Sequence, residues 1–192
     1  MNAQGGTPLY RLAAAPLALK WAVTLFLATI GVAYVFGVLM VTLWVGMTPG
    51  QVASTYRPHV EMANPARERS VTEKPIDLEQ ALGGEREQHT IDTRLLVQDT
   101  HVHVPVYALI AATLSLVALG LRWPRRWDAL VIFALFAGPI LDFSGMWLTK
   151  LVAGGFAYFT LIGGWTMAAS YATVAGVAIW QLWIEGSQEV RP

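Results

Sequence analysis

The chain of 192 residues carries 13 basic and 13 acidic side chains, and a formal net charge of zero gives no electrostatic support for nucleic-acid binding. Apolar residues make up 55% of the sequence and charged residues only 14%, a composition that is unusual for a soluble domain and indicates an integral membrane protein. Because cysteine is absent, disulfides, iron–sulfur clusters and covalently attached c-type haem are excluded.

The first apolar segment begins after residues 1–20, which we predict to be a cytoplasmic tail or a short interfacial helix. Residues 21–47 carry no charge and are predicted to form the first membrane span. A spanning helix needs only about 20 apolar residues, so this one must tilt or project beyond the bilayer. It is too long for the core of a signal peptide, and we interpret it as a retained span.

The extramembrane segment at residues 48–103 would be periplasmic in a bacterium. Thr48, Pro49 and Gln51 have the pattern of an N-cap, a first-turn proline and a capping box, which predicts a short helix to about Arg57. Alternation in TIDTRLLVQ predicts an extended piece near the end of the segment. With few apolar positions, the segment should lie on its own helices or on another subunit.

Three further spans are predicted over residues 104–121, 129–148 and 156–184, with a short tail at 185–192. The predicted fold is an all-α membrane protein, with four transmembrane helices in a bundle. Basic residues of the short flanks lie on one side, and Lys150 alone lies in the short loop opposite. Both termini are therefore predicted to be cytoplasmic, in the inner membrane of a bacterium.

Small residues recur every four positions in the fourth span, which predicts a stripe where a neighbouring backbone can come close. The members of this stripe are Gly164, Ala168, Ala172 and Gly176. The third span has a shorter version of the pattern, formed by Ala134, Gly138 and Asp142.

Asp142 is an ionisable residue well inside the predicted third span. Such residues usually face the bundle interior and mark proton relays or ligand sites. Asp142 is therefore a candidate proton carrier, or an acceptor that orients a histidine. The alternative is a structural aspartate that accepts hydrogen bonds from Trp, Ser or backbone donors, or that lies near the outer interface.

The stretch QDTHVHVP places Asp99, His101 and His103 at alternate positions where the second span begins. In an extended chain the three would share a face and could hold a metal ion, whereas on a helix the two imidazoles would point in opposite directions. Pro105 favours the extended form up to His103. The alternative to a ligand site is a polar collar at the membrane surface.

Height along the helices links His103 to Asp142. His103 lies 19 residues before Arg122, and Asp142 lies 15 residues after Trp127. If both segments are helical, the two residues differ in height by only about 6 Å. A carboxylate at that position could fix the ring of a ligating histidine.

Several short motifs resemble those of small four-helix bacterial integral membrane proteins of unassigned function. They are GMTP at the end of the first span, TYR in the outer segment, T-H-V-H at residues 100–103, and LDF followed by WLTK in the third span. More distantly, T-H-x-H at the start of a membrane helix is similar to small relatives of haem–copper oxidase subunit I. That likeness implies a haem b ligand at His103, although Pro105 departs from the Leu-rich continuation usual there.

Two functions are expected from these observations. The first is an accessory subunit of a bacterial electron-transfer complex, respiratory or photosynthetic, without catalytic activity of its own. Its partners would be the lipid bilayer, other membrane subunits and a periplasmic cytochrome that docks on residues 48–103. The second is a redox or metal-binding membrane protein that holds haem b, copper or a quinone near His103, with His101, Asp99 and Asp142 as further candidate ligands.

Overall fold

The computed structural model describes residues 10–57 and 90–185, and every regular element in these two ranges is helical. Four helical stretches are long and apolar enough to cross a membrane: Leu17–Val45, Thr93–Leu119, Arg126–Leu151 and Gly154–Glu185. The predicted all-α architecture with four spans is therefore confirmed. Most of the predicted outer segment, at residues 58–89, and most of both tails lie outside the described residues.

The first span consists of helix α1, Leu17–Met40, which continues as a π-helical turn over Val41–Val45. Gly46 ends the turn, and its amide donates a hydrogen bond to the carbonyl of Val41 at 2.7 Å. Gly46 has a φ of 95°, a conformation that glycine adopts without the steric cost of a side chain.

Residues 10–16, before α1, form neither the interfacial helix nor the tail that was predicted for this part of the chain. They form an irregular segment that packs against the bundle. Leu12 and Ala13 are buried, and the amide of Leu12 donates to the carbonyl of Gly120 at 3.0 Å. The Tyr10 ring occupies the space where a side chain at Gly120 would lie. Pro16 precedes the first helical residue, Leu17. The residues before it are therefore not helical and pack into the end of the bundle that contains Gly120.

Helix α2, Pro49–Tyr56, confirms the predicted capping box. The Thr48 hydroxyl accepts a hydrogen bond from the Gln51 amide at 3.3 Å, and the Gln51 side chain accepts one from the Thr48 amide at 3.2 Å. These reciprocal bonds satisfy two backbone donors at the helix start. Val52 and Tyr56 are buried, so α2 packs against the end of the bundle where the first span ends, which we call the outer end.

Helix α3, Thr93–Leu119, begins eleven residues before the predicted second span, and the prediction of an extended TIDTRLLVQ is wrong. Asp92 caps this helix, because its carboxylate accepts a hydrogen bond from the amide of Leu95 at 2.6 Å. Leu96 is completely buried, which anchors the first turns outside the predicted span. The helix continues through Pro105, as membrane helices often do.

The third and fourth spans are joined by a short connection. Helix α4, Arg125–Leu151, is followed by a 3₁₀ turn over Gly154–Phe156 and by helix α5, Ala157–Trp180. A π-helical turn over Gln181–Glu185 extends α5. Helices α4 and α5 form the most extensive packing contact of the bundle.

Two apolar clusters fill the bundle at different heights. The inner cluster, named for the end that holds Leu12 and Leu182, is built from α1, α3, α4 and α5, and it includes Leu27, Leu114, Leu135 and Val174. The outer cluster lies at the α2 end and consists of Val52, Tyr56, Leu96, Phe143, Met146 and Ala157. Along α4, Asp142 falls between Leu135 of the inner cluster and Phe143 of the outer one.

Close contact between α4 and α5 occurs one position away from the predicted stripe. A side chain added at Gly163 would lie 2.4 Å from the Asp142 backbone nitrogen and 2.7 Å from the Gly138 carbonyl oxygen. At Gly164 and Gly176 the corresponding space is empty, and Ala172 is exposed. The predicted stripe is therefore corrected, because Gly163 rather than Gly164 faces α4.

We expect Gly163→Ala to destabilise the protein, whereas Gly164→Ala should not. The added methyl group at position 163 would meet backbone atoms of α4, and such overpacking typically costs about 1–3 kcal/mol. Unfolding of the purified protein in mixed micelles measures the difference. Equal stability of the two variants would contradict the assigned packing.

The orientation of the termini remains a prediction, and the absence of native cysteine makes it easy to test. Arg94, near the start of α3, and Arg126, in the first turn of α4, are both exposed. In intact cells, a membrane-impermeant maleimide should label Arg94→Cys, whereas Arg126→Cys should react only after permeabilisation. The reverse pattern would place both termini outside.

Candidate functional site

The helical form of α3 places Asp99 and His103 one turn apart on the same face. The Nδ1 atom of His103 lies 2.9 Å from a carboxylate oxygen of Asp99 and also 2.9 Å from the Asp99 carbonyl oxygen. The two side chains are 40% and 43% exposed, so the pair is open to its surroundings. Asp99 therefore fixes the orientation of the His103 ring and leaves its Nε2 atom for another partner.

His101 is not part of this pair. On a helix, residues two apart are separated by about 200°, and His101 is exposed on a different face from His103. Within residues 10–57 and 90–185, no three His, Asp or Glu side chains come together as metal ligands would. The structure therefore brings together Asp99 and His103 from the predicted metal motif, but not His101.

A hydrogen bond sets the height of α3 against α4. The indole nitrogen of Trp147 donates to the hydroxyl of Thr100 at 3.0 Å, and that hydroxyl donates to the carbonyl of Leu96 at 2.7 Å. Further along α3, the centroid of the Tyr107 ring lies 5.8 Å from that of His103 and 5.8 Å from that of Phe143. The link thus holds His103 and Tyr107 beside the part of α4 that contains Asp142.

Asp142 lies in the middle of this region and is only partly buried. Its backbone is fixed by Gly163, and its carbonyl oxygen accepts a hydrogen bond from Thr160 at 3.4 Å. Among the described residues, no hydrogen bond reaches its carboxyl group. The group is nevertheless close enough to Asp99 and His103 to interact electrostatically with both.

Four tyrosines from different parts of the chain surround or adjoin Asp142. Tyr34 of α1, Tyr56 of α2 and Tyr107 of α3 lie within electrostatic reach of its carboxyl group, and Tyr171 of α5 lies within reach of Tyr34 and Tyr107. We call Asp99, His103, Asp142, Tyr34, Tyr107 and Tyr171 the polar layer, because they lie between or border the two apolar clusters.

Tyr56 closes the outer side of the polar layer. Its hydroxyl donates a hydrogen bond to the Met146 sulfur at 2.9 Å. Burial raises the pKa of Tyr56 above its usual value, and the nearby carboxyl groups of Asp142 and Asp99 raise it further. Tyr56 therefore remains a neutral phenol and acts as a structural hydrogen-bond donor rather than as a proton carrier.

His103 and Asp142 were predicted from the sequence as site residues, but the tyrosines were not. Tyrosine in membrane helices usually concentrates at the two interfaces, where its hydroxyl meets water. Tyr34, Tyr107 and Tyr171 instead lie well inside their spans. A polar-tipped aromatic residue far from both ends of a span was the signal that could have revealed them.

The polar layer can donate and accept hydrogen bonds and exchange protons. One imidazole, two carboxyl groups and several phenols are present, and two of these groups, Asp99 and His103, reach the surface of the bundle. This set suits an organic ligand with polar oxygens better than a metal ion, which would need three or more converging ligands.

A family model described as a transmembrane helical domain matches residues 46–189, more than two thirds of the chain. Together with the four long apolar helices, this match identifies a multi-pass membrane protein in contact with the lipid bilayer. No curated protein and no solved structure matches the sequence. On this basis the chain belongs to the Aq_1264_TM family of transmembrane helical domains.

Proposed function

We propose that the protein is a quinone-binding component of an electron-transfer system in a bacterial inner membrane. His103 and Asp142 would bind the polar headgroup and exchange protons with it. The observation that carries the proposal is the partly buried Asp142 carboxyl group, which has no hydrogen bond from the described residues and lies within electrostatic reach of the Asp99–His103 pair. Intramembrane carboxyl groups of this kind usually mark ligand or proton sites.

The chemistry of a quinone fits these groups. A quinone enters from the bilayer because it is lipid-soluble, and its two carbonyl oxygens need hydrogen-bond donors. Reduction to the quinol consumes two electrons and two protons. The protonated Asp142 carboxyl group and the Nε2–H of His103 in its imidazolium form would donate hydrogen bonds and then protons to the quinone oxygens. The two electrons would come in two successive transfers from a separate one-electron carrier.

Proton exchange with the surface would proceed through the Asp99–His103 pair. His103 is suited to this role because an imidazole ring can take up a proton at one nitrogen and release one from the other. Asp99 keeps the ring in one orientation and is itself partly exposed. The pair therefore offers a path between Asp142 and the α2 end of the bundle.

The proposed electron donor is a partner such as a periplasmic cytochrome, which would dock at the α2 end. Support comes from the way the outer segment leaves and re-enters the bundle there. The amide of Ile91 donates to the carbonyl of Thr55 at 3.0 Å, and the Lys150 ammonium group donates to the carbonyls of Ile91 and Tyr56 at 2.6 and 3.4 Å. The two ends of the segment are thus joined at the same end of the bundle as Asp99.

Haem b or copper at His103 is the competing assignment. Among the described residues only one imidazole faces the polar layer, and the three acidic and imidazole side chains there do not converge as metal ligands would. Hydrogen bonding to a quinone needs no such convergence, which is why the quinone is proposed instead.

The test is binding of decylubiquinone or menadione to the purified protein in nanodiscs. Quenching of tryptophan fluorescence measures the binding. Trp147, which is hydrogen-bonded to Thr100 of α3, is a natural reporter. We expect saturable binding by the wild type, a loss of about 3- to 10-fold in affinity for Asp142→Asn, and a loss of about 10-fold or more for His103→Gln. A hydrogen bond between neutral groups is worth about 0.5–1.5 kcal/mol, and one from a charged group about 1.5–3 kcal/mol.

His101→Gln is the matched control, since it makes the same change two positions away on an exposed face of the same helix. It should bind as the wild type does. Absence of saturable binding to the wild type would refute the proposal. So would a Soret band or stoichiometric metal that is lost in His103→Gln, because the residue would then ligate a cofactor.

A further inference from the structure

Tyr171 has a buried hydroxyl group that no other described residue satisfies. The residue is 8% exposed, and its oxygen has no hydrogen-bond partner in the structure. A buried hydroxyl left unpaired is unfavourable, so such groups are almost always bonded to protein, water or ligand. An acceptor from outside the described chain is therefore needed at this position.

Tyr171 and Asp142 lie at opposite ends of the same region. Gly163 of α5 touches the backbone of Asp142, and Tyr171 follows eight residues later, which is roughly 12 Å deeper along α5. Tyr34 and Tyr107 each lie within electrostatic reach of both residues. The two ends of the polar layer are thus linked by shared neighbours.

Helix direction turns these two side chains toward each other. Side chains on a helix tilt toward its N-terminus. The N-terminus of α5 lies at the outer end of the bundle, so Tyr171 tilts outward. The N-terminus of α4 lies at the inner end, so Asp142 tilts inward. A small flat molecule between them would meet a carboxyl group on one side and a phenol on the other.

Tyr34, whose ring neighbours that of Tyr171, differs from it in bonding. The Tyr34 hydroxyl donates to the carbonyl of Gly164 at 3.2 Å, and its ring lies 6.2 Å from that of Tyr171. The Tyr34 hydroxyl proton is therefore already engaged in a hydrogen bond. Beyond Tyr171, the inner cluster contains Leu114, Val174 and Ala178. The buried hydroxyls of Ser115 and Ser170 donate to carbonyls of their own helices. Tyr171 is thus the donor at the inner limit of the polar layer.

We infer that the Tyr171 hydroxyl donates a hydrogen bond to the second carbonyl oxygen of the bound quinone, opposite the oxygen held by His103 and Asp142. This inference rests on the proposed function and assigns the ligand an orientation. The ring would lie along the bundle axis, with one oxygen toward the α2 end and the other toward the inner cluster. A trapped water molecule at Tyr171 is the other source of an acceptor oxygen.

The test compares Tyr171→Phe with Tyr158→Phe, which makes the same change at a residue of α5 that is 59% exposed. Decylubiquinone affinity should fall about 3- to 10-fold in Tyr171→Phe, as expected for loss of a neutral hydrogen bond, and stay unchanged in Tyr158→Phe. Without ligand, Tyr171→Phe should melt no lower than the wild type, because it loses no bond within the protein.

Two results would overturn the inference. Unchanged quinone affinity in Tyr171→Phe, with binding still weakened in Asp142→Asn, would leave the proposed function standing and remove only the assigned role of Tyr171. A lower melting temperature of ligand-free Tyr171→Phe would show that a protein group or a trapped water already satisfies the hydroxyl. If the wild type binds no quinone, both the function and this inference fail together.

Discussion

The contact between α4 and α5 at Gly163 is the constraint on which the rest of the site depends. Because a hydrogen atom is all that fits at this position, the backbones of the two helices approach closely at Asp142. The contact fixes the height and direction of the Asp142 side chain. It also fixes Tyr171, two turns further along α5, relative to Asp142.

The polar layer that results is costly for a membrane protein. Along α4, Asp142 falls between the two apolar clusters, and the rings of Tyr34, Tyr107 and Tyr171 belong to these clusters or pack against them. Such groups are rare inside membrane bundles, and structure alone would be served better by apolar residues of similar volume. Among the described residues, the Asp142 carboxyl group has no hydrogen bond and the buried hydroxyl of Tyr171 has no partner. These features support the proposed ligand site.

The sequence predicted those features that depend on local patterns. Hydropathy located four spans, and the capping box at Thr48 located α2. Prediction from the sequence failed where contacts between residues distant in the chain determine the structure. The helical start of α3 depends on Leu96 packing against α2, which local alternation does not encode. The choice between Gly163 and Gly164 depends on the rotation of α5 against α4, and both positions fit a small-residue pattern. The position of Tyr171 in the middle of a span was visible in the sequence, but the lack of a partner for its hydroxyl depends on how the helices pack and was not.

Infrared difference spectroscopy can show whether the Asp142 carboxyl group contacts the bound quinone. Spectra of the protein in nanodiscs, recorded with and without decylubiquinone and with ¹³C-labelled aspartate, isolate the aspartate carboxyl bands. If Asp142 contacts the quinone, we expect a ligand-induced shift of one carboxyl band. This shift should be absent in Asp142→Asn and retained in His101→Gln. A difference spectrum with no aspartate band, or one that is the same in wild type and Asp142→Asn, would contradict it.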